Sequence, residues 1–279
     1  MGQIPEYHHK FALKILFCAI KNCNYHIFIY TGVPNQTTKG VLMRPSLRKS
    51  NQMRPVSMET GVNKWAEGSC LIKMGGTTVL CTASVDLNQP TWKRMQNKTG
   101  GWVTAEYSML PRANGTRKSR ETIMKDHRSA EISRMIGRAL RSVVDMEVLG
   151  KHTITIDCDV IQADGGTRCA SITGGFVALS LAVRWLMENG RIHENPIHEN
   201  VAAVSAGLWN GELVLDLDYE EDCVAELDAN FVVAESGRFI EVQSTGEQHP
   251  FEKAQLGELM DMAAGGAKKL IDLQKQVLA

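Results

Sequence analysis

The sequence predicts an α+β fold with α/β-like alternation, built from duplicated strand–helix units. Three observations predict it. Runs with a two-residue apolar period recur along the chain, separated by glycine-containing turns. Helical runs follow them: apolar stripes at 128–146 and 252–278, and a run at 170–188 that is apolar on nearly all sides. Strands lead into a helix twice over, the ordering of a duplicated unit, although no repeat of residues is visible.

Taken in order, the chain opens on a stretch that fits no element. Phe11 to Tyr30 is apolar but is interrupted by Lys14, Lys21, two asparagines and His26, which makes a poor membrane span and a poor signal peptide. TGVPNQTTKG then reads as a linker, and globular patterning begins at Met43. CLIKM and TTVLCTASV are two strands joined at Gly75-Gly76. PRANGTRKSR, rich in turn formers, is a loop carrying Arg112, Arg117 and Arg120. In the helix at 128–146, Ile132, Met135, Ile136, Ala139, Leu140 and Val143 form one stripe, and Arg134, Arg138 and Arg141 lie opposite as ordinary surface charges. Ile154–Val160 is a strand, followed by the turn DGGTR and the apolar helix. Strands near 201–208 and 213–218 flank Asn210-Gly211, strands at 229–235 and 238–243 follow, and the final helix places Leu256, Leu259, Met260, Ala263, Ala267, Leu270 and Ile271 on one side.

Composition is that of a soluble globular chain: 279 residues, 43% hydrophobic, 22% charged, net charge zero. The charge is nevertheless sorted. Residues 93–141 carry twelve Lys or Arg against four acidic residues, and residues 212–228 carry eight acidic residues with no Lys or Arg. A basic segment suits a polyanion and a carboxylate cluster suits magnesium, although either block taken alone reads more simply as a solvated face. The seven cysteines show no metal-site spacing and are expected to be reduced thiols of a cytoplasmic protein.

Three places invite chemistry. At Gly165-Gly166-Thr167-Arg168 a strand, a glycine turn and a helix start aim free N–H groups at one point, where an oxyanion could bind beside a forked arginine; an ordinary surface turn has the same letters. Arg128 stands at the N-terminal end of an apolar stripe, where a buried charge is expected to need a partner, either a bound anion or a carboxylate. Asp228 immediately precedes a buried strand and needs a partner or a metal; Asp222 lies six residues before it in the acidic cluster, and Glu226 shares a face with Asp228 if both lie in a strand. Asp216 and Asp218 read as the polar face of an alternating strand.

From Met43 onward the chain resembles the bacterial ribonuclease PH family. The resemblance rests on KWAEGSCLIKMGGTTVLCTASV, GWVTAEYSMLPRA, EISRMIGRALRSVVD, TITIDCDVIQADGGTRCASITG, NPIHENVAAVSAG, LDLDYEED and GRFIEVQSTGE, collinear over nearly all of the last 237 residues. It implies a fold related to the second domain of a small-subunit ribosomal protein, and a homohexameric ring built as a trimer of dimers, akin to polynucleotide phosphorylase and the exosome ring. It implies a phosphate-dependent 3′–5′ exoribonuclease, a tRNA nucleotidyltransferase that trims tRNA precursor 3′ ends reversibly and releases nucleoside 5′-diphosphates. Inorganic phosphate, the co-substrate, would sit at Arg128 and at Gly166, Thr167 and Arg168. Asp222 and Asp228 would be catalytic or hold Mg2+, and Arg112, Arg117 and Arg120 would contact RNA. A non-catalytic RNA-binding ring subunit is the alternative, disfavoured because both arginines and both aspartates are present; a small-molecule phosphotransferase leaves the arginine loop unexplained. No membrane partner is expected. The domain is set at 43–279, and residues 1–42 have no counterpart, as a poorly ordered extension or an upstream start-site artefact. Departures include Leu47, where the family has glycine, and His127, where glycine precedes the phosphate arginine.

Overall fold

Two β-sheets enclose one long apolar helix. The computed structural model describes residues 44–124 and 126–279, so the expectations for residues 1–42 lie outside the described residues. The elements are β1 (Val56–Thr60), β2 (Gly68–Met74), β3 (Thr77–Asp86), α1 (Thr91–Met95), β4 (Trp102–Met109), α2 (Arg120–Met124), α3 (His127–Arg141), β5 (Thr153–Gln162), α4 (Thr167–Glu188), β6 (Val201–Trp209), β7 (Glu212–Leu215), α5 (Tyr219–Asp222), β8 (Leu227–Ala234), β9 (Phe239–Gly246) and α6 (Lys253–Leu278). The first sheet has the order β1-β2-β3-β5-β4, with β4 parallel to β5, and the second has the order β7-β6-β8-β9.

Strand β5 shows how period becomes layer. Ile154, Ile156, Cys158 and Val160 are buried against α4, while Thr155, Asp157 and Asp159 alternate on the open face. Helix α4 packs on β2 and β3 with one side and on β6 with the other, which is why it is apolar all round. It is long and apolar enough to cross a membrane, yet 78% of its most apolar window is buried inside the fold. Contact with β2 is close enough that a side chain at Gly68 would meet the Ala178 carbonyl at 2.0 Å. Helix α6 closes the second sheet over β6 and β7, and α3 covers β4.

Several elements end sooner than the sequence predicts. Helix α3 stops at Arg141 rather than 146, because Val144 bridges to Ile197 and the Val143 carbonyl takes the His198 amide. Strand β7 stops at Leu215, since Asp216 turns into the left-handed region at φ 56°. Asp216 is therefore not the polar face of a strand; it is buried, and Asp218 caps α5. Arg120 begins the short helix α2 rather than lying in a loop. Arg141 is not an ordinary surface charge either: it donates to the Val103 carbonyl at 2.7 Å and stacks 4.4 Å from the Trp102 ring.

The glycine-to-leucine departure at Leu47 has a backbone consequence. The Leu47 amide closes a turn on the Arg44 carbonyl at 2.8 Å, and its φ is 57°, a region costly for a branched side chain. The side chain is 72% exposed and gains little packing in return. Leu47→Gly should raise stability by about 0.5–1 kcal/mol, read as a higher midpoint in urea. An unchanged or lower midpoint would show that the turn is relaxed with leucine in place.

Candidate active site

The DGGTR turn is held from behind. Thr77 Oγ1 donates to the Gly165 carbonyl at 2.6 Å and accepts from the Asp164 amide at 2.9 Å, while the Ala163 amide donates to Ala113. Gly165 and Gly166 have φ of 71° and 65°, and a side chain at Gly165 would meet the 217–219 backbone within 2.7–2.9 Å. The backbone leaves no room for a side chain at Gly165, and the left-handed φ favours glycine at Gly166. Gly166 is the N-cap of α4 and offers no side-chain acceptor, so the first amides of a 22-residue helix stay open. The Thr167 hydroxyl is already paired, 2.9 Å from the Tyr107 hydroxyl.

In front of this helix start lies a cavity of about 170 Å³ that brings together Arg128, Gly166, Thr167, Arg168, Asp222 and Asp228. These groups come from four elements: the first turn of α3, the start of α4, the end of α5 and the start of β8. Among the described residues the Arg128 side chain and both aspartates have no hydrogen bond or ion pair. Arg168 has one bond, to the neutral Gln243 amide at 3.2 Å. Arg128 is exposed, correcting the expectation of a buried charge at the end of the α3 stripe. Its amide is capped by Asp126 at 3.0 Å.

The carboxylates feel their surroundings. Burial, and then the charge of Asp222, push Asp228 up to about 6. Asp222 is also raised by burial, with Arg128 and Arg168 pulling the other way. Two partnerless, half-buried carboxylates that resist ionisation make a place for a cation. Glu226 does not join them. It lies ahead of β8 and accepts the Gly211 amide at 2.9 Å.

Arg112, Arg117 and Arg120 are exposed and do not line this cavity; Lys118 and Asn114 of the same segment do. His127 is exposed and does not line it either. Ser205 and Asn230, neighbours on β6 and β8, complete the floor, and neither is singled out by the sequence pattern.

Behind the site is a buried ionic network that the sequence does not announce. Arg44 grips Glu221 with two bonds of 2.6 and 2.5 Å. Arg48 reaches Glu221 at 3.0 Å and the Asp216 carbonyl at 2.8 Å. Arg54 holds both Asp216 oxygens at 3.0 and 2.7 Å and also donates to the Asp164 carbonyl of the glycine turn. Burial opposes the charge of Glu221, but the bonds from Arg44 leave its carboxyl below the ordinary range. The network thus ties the anion turn to α5, which carries Asp222. Its partners lie 110 to 177 residues apart, so spacing offers no signal.

The 3′ exoribonuclease family matches this chain with its domain 1 over residues 52–184 and its domain 2 over residues 199–266. The chain belongs to that family. Among its relatives, ribonuclease PH of Caulobacter vibrioides is 53% identical over 238 residues, covering 85% of this chain and 99% of the relative. Ribonuclease PH of Brucella ovis is 52% identical over 240 residues, covering 85% and 100%. Solved structures share the family's fold. Rice (Oryza sativa) Rrp46 matches with a TM-score of 0.67 at 19% identity, over 84% of this chain and 99% of that one. A chain of the Archaeoglobus fulgidus exosome with RNA bound to the active site matches with a TM-score of 0.71 at 22% identity, over 83% and 92%.

Proposed function

We propose that the cavity between Arg128, the α4 start and the two aspartates is where this 3′ exoribonuclease shortens RNA. The enzyme is a phosphorolytic 3′–5′ exoribonuclease that acts on RNA ends such as those of tRNA precursors. One observation carries the assignment of the site: among the described residues two arginines and two aspartates with no direct ion pair share one cavity at the open N-terminus of a buried helix.

Inorganic phosphate would lie against Arg128 and the amides of Gly166, Thr167 and Arg168. One of its oxygens attacks the phosphorus of the last phosphodiester. The bond from that phosphorus to the 3′ oxygen of the preceding ribose breaks, the 3′ oxygen takes up a proton, and a nucleoside 5′-diphosphate leaves. Negative charge grows on the equatorial oxygens, where fixed guanidinium and N–H donors stabilise it most. The bond formed is the phosphoanhydride of the diphosphate, so little of the free energy of the broken phosphodiester is lost and the reverse reaction adds nucleotides from diphosphates. Asp222 and Asp228 fit a magnesium ion, which takes one or two carboxylates and completes its shell with water and phosphate oxygens. Bound there it would neutralise phosphate charge. Asp228, with its raised pKa, also suits the delivery of a proton to the leaving oxygen.

Arg112, Arg117 and Arg120, exposed on the approach to α3, would contact the RNA backbone, where arginine positions a strand without reading its sequence. The family resemblance supports a homohexamer arranged as a trimer of dimers, a cytoplasmic location and a functional domain at residues 43–279.

The deciding experiment uses a 3′-extended tRNA with and without phosphate. Shortening should require phosphate and release diphosphates; monophosphates released in phosphate-free buffer would make the enzyme a hydrolase.

The carboxylates give a second, opposed pair of effects. Asp222→Asn and Asp228→Asn should each lower the rate at least about a hundredfold in both directions, with partial recovery at high magnesium. Without divalent cations Asp228→Asn should be more stable than the parent at pH 7.5, by on the order of 2 kcal/mol. The sign follows from a folded pKa of about 6, above the ordinary 3.8: the carboxyl favours the fold when protonated and weakens it once pH rises through that value. The advantage should vanish at pH 4. Thermal midpoints at the two pH values test it, and an Asn variant less stable at pH 7.5 would contradict the raised pKa.

A further inference from the structure

Arg168 lines two adjoining cavities, the one described above and a larger one of about 410 Å³ between α3 and the β8–β9 strands. Free to swing, it would spend time in either. What holds it is Gln243 on β9, whose Oε1 accepts from Nη1 at 3.2 Å. Gln243 is itself oriented, since its Nε2 donates to Glu241 Oε1 at 3.4 Å, two residues earlier on the same strand face. Glu241 is in turn fixed by Arg138 of α3, with bonds of 2.6 and 3.2 Å. The chain Arg138–Glu241–Gln243–Arg168 therefore runs from the helix that begins with the Arg128 turn, across β9, to the first turn of α4.

The chemistry of the third member is specific. An amide placed between a guanidinium and a carboxylate has one workable orientation, oxygen toward the arginine and nitrogen toward the glutamate. A neutral acceptor fixes the direction of Arg168 without cancelling its charge. A carboxylate at 243 would also orient the guanidinium, but it would neutralise it and would face Glu241. An aliphatic side chain would leave it unanchored.

We propose that Gln243 is a positioning residue for inorganic phosphate: held by Glu241 and Arg138, it aims the Arg168 guanidinium into the reaction cavity while leaving its full charge for the anion. This rests on the reading of Arg168 as a phosphate ligand.

The test is phosphorolysis of a single-stranded RNA with phosphate as the varied substrate. Gln243→Leu should raise the phosphate KM about tenfold, as expected for the loss of one bond to a charged group, with the RNA KM within twofold and kcat at saturating phosphate at least half that of the parent. Gln243→Glu, equal in size, should raise the phosphate KM further than Gln243→Leu. Glu241→Gln should raise it two- to threefold. That ranking separates positioning from packing, because a packing role makes leucine the worse replacement. The proposal is overturned if Gln243→Leu and Gln243→Glu both stay within twofold of the parent, if glutamate is the milder change, or if the loss appears in kcat alone. Arg168→Ala is measured alongside: if it keeps normal phosphate dependence, the reading of Arg168 as a phosphate ligand fails; if it is inactive while the Gln243 variants are normal, the ligand reading stands and the positioning role fails.

Discussion

Arg128→Ala should cost the enzyme about a thousandfold or more in phosphorolysis while leaving its thermal midpoint nearly unchanged. The two halves of this expectation come from one fact. The guanidinium is exposed and bonded to nothing among the described residues, so its removal strands no partner. The α3 start survives, because the cap bond from Asp126 goes to the residue 128 amide, which alanine keeps. Alanine also suits a first helical turn. Activity falls because nothing else on α3 presents a permanent positive charge to the cavity, and the aspartates facing it add negative charge that phosphate must overcome. Arg128→Lys should restore only part of the rate, since a point charge lacks the forked geometry for two phosphate oxygens. Initial rates at saturating phosphate, with melting curves on the same preparations, check both halves. A variant with near-normal rates would remove α3 from the site.

What the sequence discloses of this site follows the range of the interaction. The glycine turn, its arginine and the helix behind it lie within five residues, so strand period, glycine pair and helix start could be read together. Asp228 stands out because an acid entering a buried strand has to be explained, and Asp222 only through the acidic cluster and the family resemblance. Arg128 was singled out for a burial it does not have, though it lies in the cavity. Asp216 shows the opposite failure. Its alternation with Leu215 and Leu217 fits a strand, and only a positive φ and two arginines near the start of the domain reveal a buried ion pair. Short elements were equally silent. Helices of four or five residues, such as α1, α2 and α5, are too short to display a helical period, and β1 and β4 lie outside the strands that the sequence predicts. Lys118, the cation of the 111–120 segment that lines the cavity, has nothing in its sequence neighbourhood to set it apart.

The ionic network predicts the largest loss of stability. Asp216→Ala should lower the folding free energy by about 3–5 kcal/mol, a fall of roughly ten degrees in midpoint for a chain of this size. Asp216 is 1% exposed, and its carboxylate accepts the Arg54 amide at 2.7 Å as well as the guanidinium. Removing it takes from Arg54, 6% exposed, its buried carboxylate and leaves only Asp164 at 3.9 Å, while Arg48, 9% exposed, must share Glu221 with Arg44. A buried charge without its partner costs far more than the pair contributed. Alanine also tolerates the left-handed backbone at 216 less well than aspartate does. Asp216→Asn should be milder, because one amide oxygen still accepts and asparagine accepts the same φ. Asp218→Ala is the internal control. It loses the α5 cap and a 3.3 Å contact to Arg48 at a more exposed position, for about 1 kcal/mol. Arg54 also donates to the Asp164 carbonyl and, at 3.5 Å, to that of Gly165, so Asp216→Ala should loosen the anion turn before the fold is lost. Its phosphate KM should therefore rise at temperatures where circular dichroism still reports a folded chain. A loss of less than about 1 kcal/mol with phosphate KM unchanged would mean that the arginines find other acceptors and that the turn stands without them.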